Sequence, residues 1–258
     1  METLPTIKIG NHEVTKLIIG GNPFSGNSHQ SNEMNKEMRD YYTTDKIKET
    51  LRECERYGIN TVQARGDAHI MRILNEYWNE GGRLKWIAQT ASELASIPDN
   101  VRNISARGAI ACYHHGSKTD SLFKEGRLDS VKNVLAVIRD TGMAVGLGTH
   151  EPEVVRYAED NNFDLDFYMI AFYNLSRRGE IYLPEDRDAA CKIIRDIDKP
   201  VLAFKVMAAG RNAPFEAIKY AYENIKPEDA VVMGMFTKYQ KDQIKENSEL
   251  ALRFSHME

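Results

Sequence analysis

Residues 108–149 contain two apolar runs, GAIACYHH (108–115) and MAVGLGT (143–149), on either side of the segment SVKNVLAVIRDTG (130–142). Both runs are short and almost wholly apolar, which is typical of strands that are covered on both faces. In the segment between them, apolar residues recur at helical spacing and stop before Gly142, a residue type that often ends a helix. The stretch predicts a strand, a crossover helix and a second strand parallel to the first.

The same alternation extends in both directions along the chain. Six further apolar runs bring the number of predicted strands to eight, and amphipathic segments such as Thr44 to Tyr57 lie between them. Eight such units within 258 residues predict a (β/α)8 TIM barrel that forms one domain over residues 1–258. The predicted strands are 16–19, 60–64, 84–90, 108–114, 143–149, 166–173, 200–206 and 230–235.

The segment before the first barrel strand has a different pattern. Residues 6–9 and 13–15 flank Gly10 and Asn11, a turn signal that predicts a short N-terminal β-hairpin closing one end of the barrel. Two polar connections, 22–42 and 174–184, are long for a compact barrel, and each is a candidate lid.

Composition excludes several classes of protein. The chain carries 34 basic and 38 acidic side chains, a net charge of −4, without the basic stripe that nucleic-acid binding requires. Its three cysteines have neither zinc-site nor disulfide-framework spacing, which favours a reducing compartment. No leader or membrane-spanning pattern is evident. We therefore expect a cytoplasmic protein whose partner is a small-molecule substrate, and neither a nucleic acid nor a membrane; the oligomeric state is left open.

Several motifs, in order, resemble the aldo-keto reductase family. That family has a (β/α)8 barrel with an N-terminal hairpin and transfers hydride from NADPH to carbonyl compounds, so the resemblance implies the same fold and a related site. The motifs are LIIGGNPFSG (17–26), RYGINTVQAR (56–65), ACYHH (111–115), MAVGLGTHEP (143–152), FYNL (172–175), PVLAFKVMAAG (200–210) and QIKEN (243–247).

The chain departs from the family at its catalytic tetrad. The aspartate position falls on Gln63, the lysine position on Gln89 and the tyrosine position on Ala68 or His69, whereas His114 matches the family's histidine. The residues that hold the nicotinamide carboxamide align with Thr149 and about Ile170, and the arginine before the family's Glu-Asn pair aligns with Gln243. Phe204 matches the aromatic residue on which nicotinamide stacks, although barrel packing also explains an aromatic residue there. The resemblance thus implies a divergent member that lacks most of the tetrad.

A polar side chain stands at the carboxyl end of nearly every predicted strand. Active sites of this fold lie at that end of the barrel. His114 is the candidate group that polarises a carbonyl, His150 or Lys205 the candidate that moves a proton, and Arg65 the candidate anchor for an anionic group. An ion pair with Asp67 or Glu93 is the structural alternative for Arg65. The predicted catalytic set is His114, His150, Lys205, Arg65 and Gln89, and the predicted binding set is Asn22, Gln63, Asp67, Glu93, Asn174 and Phe204.

Histidines on two adjacent strands also suggest a divalent metal site. Consecutive side chains of a strand point to opposite faces, so only one of His114 and His115 can face the lumen. With His150, that histidine would join Glu93, Glu151 or Asp67 in a mixed site.

These observations favour an enzyme that acts on a small polar carbonyl or sugar-like substrate by proton transfer without NADPH, as an isomerase, epimerase or lyase. Two alternatives stay open: an NADP-dependent oxidoreductase with a replaced proton donor, such as His69 or His114, and a ligand-binding barrel without turnover. The candidate cofactors are accordingly NADP(H), a divalent metal or none.

Overall fold

Eight parallel strands form a closed barrel in the computed structural model, which describes residues 3–174 and 181–255. The strands follow chain order around the ring, and the last one pairs with the first, Val232 lying opposite Ile18. A short antiparallel pair, β1 (Thr6–Ile9) and β2 (His12–Thr15), precedes them. The barrel strands are β3 (Leu17–Gly20), β4 (Thr61–Arg65), β5 (Lys85–Gln89), β6 (Ala111–His114), β7 (Ala144–Thr149), β8 (Phe167–Ala171), β9 (Val201–Phe204) and β10 (Ala230–Gly234). The predicted (β/α)8 barrel is confirmed.

The described residues contain ten helices, two more than the eight predicted. The additional ones are α1 and α5, both of which lie between a strand and the helix that returns to the next strand. The helices are α1 (Asn32–Tyr41), α2 (Thr44–Arg56), α3 (Ala68–Asn79), α4 (Ile97–Ala106), α5 (Gly116–Lys124), α6 (Val131–Asp140), α7 (Pro152–Asp160), α8 (Pro184–Asp196), α9 (Pro214–Asn224) and α10 (Gln243–Ser255).

Helix α2 shows how the predicted pattern produces an element. Thr43 caps its first turn, because the Thr43 side chain accepts a hydrogen bond from the backbone N–H of Lys46 at 3.3 Å. Ile47, Leu51 and Cys54 form its buried face against the barrel.

The core is divided between the two faces of the barrel wall. Strand residues that point outward pack against the helices, and those that point inward fill the lumen. In β6, Cys112 belongs to the outer layer, whereas Ala111 and Tyr113 belong to the lumen. This alternation decides which side chain at the end of each strand can reach a central site.

The hairpin closes the amino-terminal end of the barrel, as predicted. Ile7, Ile9 and Val14 pack with the lumen residues, and Ile9 and Val14 are completely buried. The turn lies close against β7, because a Cβ atom added at Gly10 would be 3.0 Å from Cβ of Ala144 on that strand.

The two long connections, each a candidate lid, are described to different extents. The connection over 22–42 is largely helical, with a 3-10 turn at Pro23–Ser25 followed by α1, so only its middle part is a loop. Of the second connection, residues 175–180 lie outside the described part of the chain. Within the described residues, no helix is long and apolar enough to cross a membrane.

We predict that the hairpin contributes to stability through its lumen-facing side chains. Replacing Ile9 by Ala should lower the free energy of unfolding by about 2–4 kcal/mol, since it leaves a cavity at a completely buried position. Urea denaturation measures the change. Lys8→Ala, which alters an exposed residue of the same strand, is the matched control and should leave the midpoint nearly unchanged. Equal midpoints for the two variants would show that the hairpin does not support the barrel.

Candidate functional site

Two adjoining cavities lie at the carboxyl ends of the barrel strands. We call them the polar cavity, of about 660 Å³, and the apolar cavity, of about 970 Å³. The polar cavity is lined by Asn22, Asn27, His29, Arg65, Gln89, Tyr113, His115, Gly116, Ser117, Gly148, His150, Phe204 and Lys205. The apolar cavity shares Asn22, Asn27, His29, Phe204 and Lys205 with it and is also lined by Gln63, Met34, Met38, Val206, Met207, Val232, Met233 and Phe236.

His150 forms a histidine–carboxylate pair with Asp120 at the wall of the polar cavity. His150 directly follows β7, and its Nδ1 lies 2.7 Å from Oδ2 of Asp120, a residue of α5 whose side chain is 2% exposed. The opposite ring nitrogen, Nε2, forms no hydrogen bond with any described residue. Nε2 can therefore form a hydrogen bond with a ligand in the cavity.

The Asp120 carboxylate determines which nitrogen of His150 carries the proton. Asp120 also accepts hydrogen bonds from the Thr149 hydroxyl at 2.5 Å and from the backbone N–H of His150 at 3.2 Å. A carboxylate held in this way accepts a hydrogen bond from Nδ1–H and so favours the tautomer whose lone pair is on Nε2. In this tautomer His150 presents a base to the polar cavity.

His115 presents the opposite tautomer to the same cavity. It is the N-cap residue of α5, where its Nδ1 accepts a hydrogen bond from the backbone N–H of Lys118 at 3.3 Å. Burial, with further contributions from the charges of Arg65 and His150, lowers the pKa of His115 to about 4. The imidazole is therefore neutral near pH 7, with its proton on Nε2, and can donate a hydrogen bond to a ligand oxygen.

His114, the histidine that the sequence predicted for the site, faces the other way. Its ring lies in the outer layer, where Nδ1 is 2.8 Å from Oγ1 of Thr119, and the residue is 4% exposed. Burial lowers its pKa to about 4. It lines a separate cavity between the barrel and the helices, together with Ile97 and Leu122. The expectation that His114 polarises a carbonyl in the opening needs correction, because strand alternation turns His115 inward instead.

Tyr113 places a phenol at the floor of the polar cavity. Gln63 donates a hydrogen bond from Nε2 to its hydroxyl oxygen at 2.8 Å, and the Gln89 side chain interacts with the same oxygen. Burial raises the pKa of Tyr113, so its hydroxyl stays protonated and can donate to a ligand. The ring fits because Gly148 on the next strand has no side chain; a Cβ atom there would lie 3.0 Å from Cδ2 of Tyr113. The resemblance aligns Gln63 and Gln89 with the family's aspartate and lysine. In this structure Gln63 contacts the hydroxyl of Tyr113, a residue of β6.

Arg65 lies in the polar cavity and also forms the ion pairs that were its structural alternative. Its Nε is 3.2 Å from Oδ2 of Asp67, and its terminal amino group hydrogen-bonds Glu93. This contact with Arg65 holds the pKa of Glu93 below its usual range. Asp67 in addition caps α3 by accepting a hydrogen bond from the N–H of Ile70 at 2.9 Å. Asp67 and Glu93 therefore position Arg65 and do not themselves line the cavity.

The remaining predicted residues divide between the cavities and the core. Lys205 and Phe204 line both cavities, and the Phe204 ring packs edge-to-face against His150 with centroids 5.4 Å apart. Asn22 also lines both cavities and lies 3.4 Å from the ring of His29. Asn174 is 2% exposed and is not among the residues that line either cavity.

The residues of the predicted metal site are not arranged as ligands. Asp67 and Glu93 face Arg65, and Glu151 lies 3.4 Å from Nζ of Lys124. Across residues 3–174 and 181–255, no group of three or more His, Cys, Asp or Glu side chains is placed to hold a metal ion.

The described residues do not fit a nicotinamide held in the manner of the aldo-keto reductases. Of the two positions that align with the family's carboxamide-binding residues, Thr149 donates its hydroxyl to Asp120 on the outer side of the barrel wall. The other, Ile170, is completely buried in the outer core. Neither side chain can reach a group in the cavities.

Comparisons with known proteins reveal the fold. No protein-family model and no curated protein sequence matches the chain. Two structures of a candidate aldo-keto reductase from Pseudomonas aeruginosa superpose on it with TM-scores of 0.64 and 0.65, at 16% and 17% identity, and cover 96% of this chain and 93% of theirs. An N-acetylmannosamine-6-phosphate 2-epimerase from Clostridium perfringens superposes with a TM-score of 0.57 at 12% identity, covering 89% of this chain and 92% of its own. At these identities the likeness concerns the barrel alone.

Sequence analysis named His115 only as an alternative to His114 in the metal site, and it left out Tyr113 and the supporting residue Asp120, as well as the cavity residues Asn27, His29 and Ser117. Asp120 lies 30 residues before its partner His150, within a helix that was not predicted, so no local pattern marks it. Tyr113 and His115 share one parity along β6, and Gly146 and Gly148 on the neighbouring strand leave space on that side. An aromatic residue on one strand beside glycines on the next was the pattern in the sequence that could have indicated that Tyr113 and His115 face the lumen.

We predict that protein stability falls in mild acid because His114 stays neutral when folded. The unfolded chain takes up a proton near pH 6.5 and the folded one only near pH 4, so unfolding becomes more favourable as the pH falls between these values. Each such histidine contributes at most about 1.4 kcal/mol per pH unit. Urea denaturation from pH 8 to pH 4.5 should show a shallower acid loss for His114→Gln than for the wild type, with parallel behaviour above pH 7. Identical slopes in acid would contradict the buried, neutral state of His114.

Proposed function

We propose that the protein is a barrel enzyme that moves a proton at a carbon atom next to a carbonyl group, as isomerases, epimerases and some lyases do. The substrate would be a small polar carbonyl or sugar-like compound. The observation that carries this proposal is the contact of 2.7 Å between His150 and the buried Asp120, with Nε2 of His150 left for a ligand. A histidine oriented by a carboxylate in this way is an arrangement that general bases use.

The neighbouring groups are suited to the charge that proton removal creates. When the His150 Nε2 lone pair takes the proton, the electron pair of the C–H bond forms a carbon–carbon double bond, and negative charge develops on the carbonyl oxygen. The Nε2–H of His115 and the hydroxyl of Tyr113 are neutral donors that can stabilise this oxygen. Return of this proton from His150 to the neighbouring carbon, while the hydroxyl proton moves to the other oxygen, completes an isomerisation. In an epimerisation a second group, for which Lys205 is the candidate, delivers a proton to the opposite face of the same carbon.

Arg65 and Lys205 supply the positive charge of the polar cavity. Asp67 and Glu93 contact Nε and Nη2 of Arg65, and the remaining nitrogen, Nη1, can donate hydrogen bonds to a carboxylate or phosphate of the substrate. Lys205, which follows β9, also lines the cavity and is the second candidate for proton transfer. Proton transfer accounts for these groups without the nicotinamide contacts that Thr149 and Ile170 fail to provide.

We predict that the protein catalyses exchange of the proton next to a carbonyl with solvent. Incubation in D2O with a panel of hydroxyketones, aldoses and 2-keto acids, followed by proton NMR, should reveal loss of one C–H signal. His150→Gln removes the base and should lower the exchange rate about 10²- to 10⁴-fold, and Asp120→Asn should also lower it by favouring the wrong tautomer. Asp160→Asn, an exposed substitution at the end of α7, is the matched control and should exchange normally.

Two results would refute the proposal. Unchanged exchange in His150→Gln would remove this histidine from the reaction. Saturable micromolar binding of NADPH, measured by cofactor fluorescence and coupled to carbonyl reduction, would establish hydride transfer instead.

A further inference from the structure

The proton-transfer site occupies only one of the two cavities. A short ligand held between Arg65 and His150 would occupy the polar cavity alone and leave the apolar cavity empty. The two cavities adjoin, since Phe204 and Lys205 line both. The Phe204 ring stands at their junction, 5.4 Å from the ring of His150.

The side chains of the apolar cavity are suited to a flexible hydrocarbon. Met34 and Met38 come from α1, Met207 from the loop after β9 and Met233 from β10. Methionine side chains are unbranched and polarisable, so they adapt to apolar ligands of varied shape. Val206 and Phe236 add further apolar surface, and no carboxylate of the described residues lines this cavity. Polar side chains line the rest of it, namely Asn22, Asn27, Ser28, His29, Gln30, Gln63, Lys205 and Gln243.

Side-chain contacts join the two loops that border the apolar cavity. Gln30 donates a hydrogen bond from Nε2 to the carbonyl of Ala209 at 2.6 Å, and Arg211 donates to the carbonyl of His29 at 3.3 Å. These contacts hold the loop after β3 against the loop after β9. Apolar ligand surface that enters the cavity between these loops leaves water, which is the source of hydrophobic binding.

The loop after β9 holds an unusual backbone conformation where it borders the apolar cavity. Lys205, Ala208 and Ala209 have φ angles of 59°, 49° and 55°, in the left-handed region that side chains other than glycine disfavour. Such conformations persist where the surroundings enforce them and concentrate at ligand sites. The conformation of this loop is therefore consistent with a ligand site in the apolar cavity, which the loop borders.

We propose that the apolar cavity binds an unbranched apolar segment of the same substrate whose carbonyl end reacts in the polar cavity. The substrate class is then an amphipathic carbonyl compound with an anionic group at one end, next to Arg65, and a hydrocarbon chain at the other. This inference rests on the proposed proton transfer for the identity of the reacting end. The chain-length preference follows from the apolar cavity alone.

A homologous series of ligands tests the inference. Straight-chain 2-keto carboxylates of 4 to 12 carbons are titrated into the intact protein by isothermal calorimetry, and the exchange of their C3 protons is followed by NMR in D2O. Each added methylene that enters the apolar cavity should tighten binding about fourfold until the cavity is filled. Met207→Gln and Met34→Gln, which keep the side-chain length but add a polar amide, should reduce this gain for long chains and leave the shortest ligand unaffected.

The matched control is Met71→Gln, which makes the same exchange on α3 outside both cavities and should retain the full chain-length dependence. Affinity that does not change with chain length would overturn the inference, as would a gain that Met207→Gln and Met34→Gln both preserve. Binding of NADPH that Met207→Gln abolishes would also overturn it, since the cavity would then hold a dinucleotide.

The two proposals fail in distinguishable ways. Exchange of short ligands without any gain from chain length would support proton transfer and refute the apolar segment. Chain-length-dependent binding without exchange at any length would support the ligand class and refute the proposed reaction.

Discussion

Closure of eight parallel strands into a ring is the constraint on which the rest of this protein depends. In a closed barrel each strand residue points either into the lumen or toward the helices, and no edge is left at which the register can shift. Inward side chains from distant parts of the chain therefore meet at one opening. Tyr113 and His115 reach the polar cavity by this rule, and the same rule excludes His114 and Thr149 from it.

The candidate site combines two histidines whose surroundings impose opposite tautomers. The buried Asp120 carboxylate accepts a hydrogen bond from Nδ1–H of His150, whereas a backbone N–H at the start of α5 donates a hydrogen bond to Nδ1 of His115. One ring therefore offers a lone pair to the cavity and the other a proton, although the two side chains are chemically identical. The contrast arises from α5, since Asp120, the N-cap position of His115 and the N–H of Lys118 all belong to this one additional helix or its start. This one helix therefore orients both histidines of the candidate site.

The likeness to the candidate aldo-keto reductase structures concerns the barrel. The resemblance in sequence aligns Gln63 and Gln89 with charged positions of that family, and in this structure Gln63 donates a hydrogen bond to the phenol of Tyr113. Burial keeps that phenol protonated by raising its pKa, which suits hydrogen-bond donation better than proton release. A candidate reductase and an epimerase both superpose on this barrel, so the fold by itself does not define the chemistry.

The sequence alone determined the hairpin, the eight strands and most helices, because the apolar periodicity and the turn residues that specify these elements are local properties of the sequence. It also placed Arg65, His150, Phe204 and Lys205 at the open end, since each directly follows or ends an apolar run. Only the tertiary structure decided between His114 and His115, because every residue of β6 is buried and neither face of the strand carries a polar signature. It likewise revealed Asp120 as the partner of His150, since a contact across 30 residues depends on how α5 packs against β7, and that packing leaves no periodic trace in the chain.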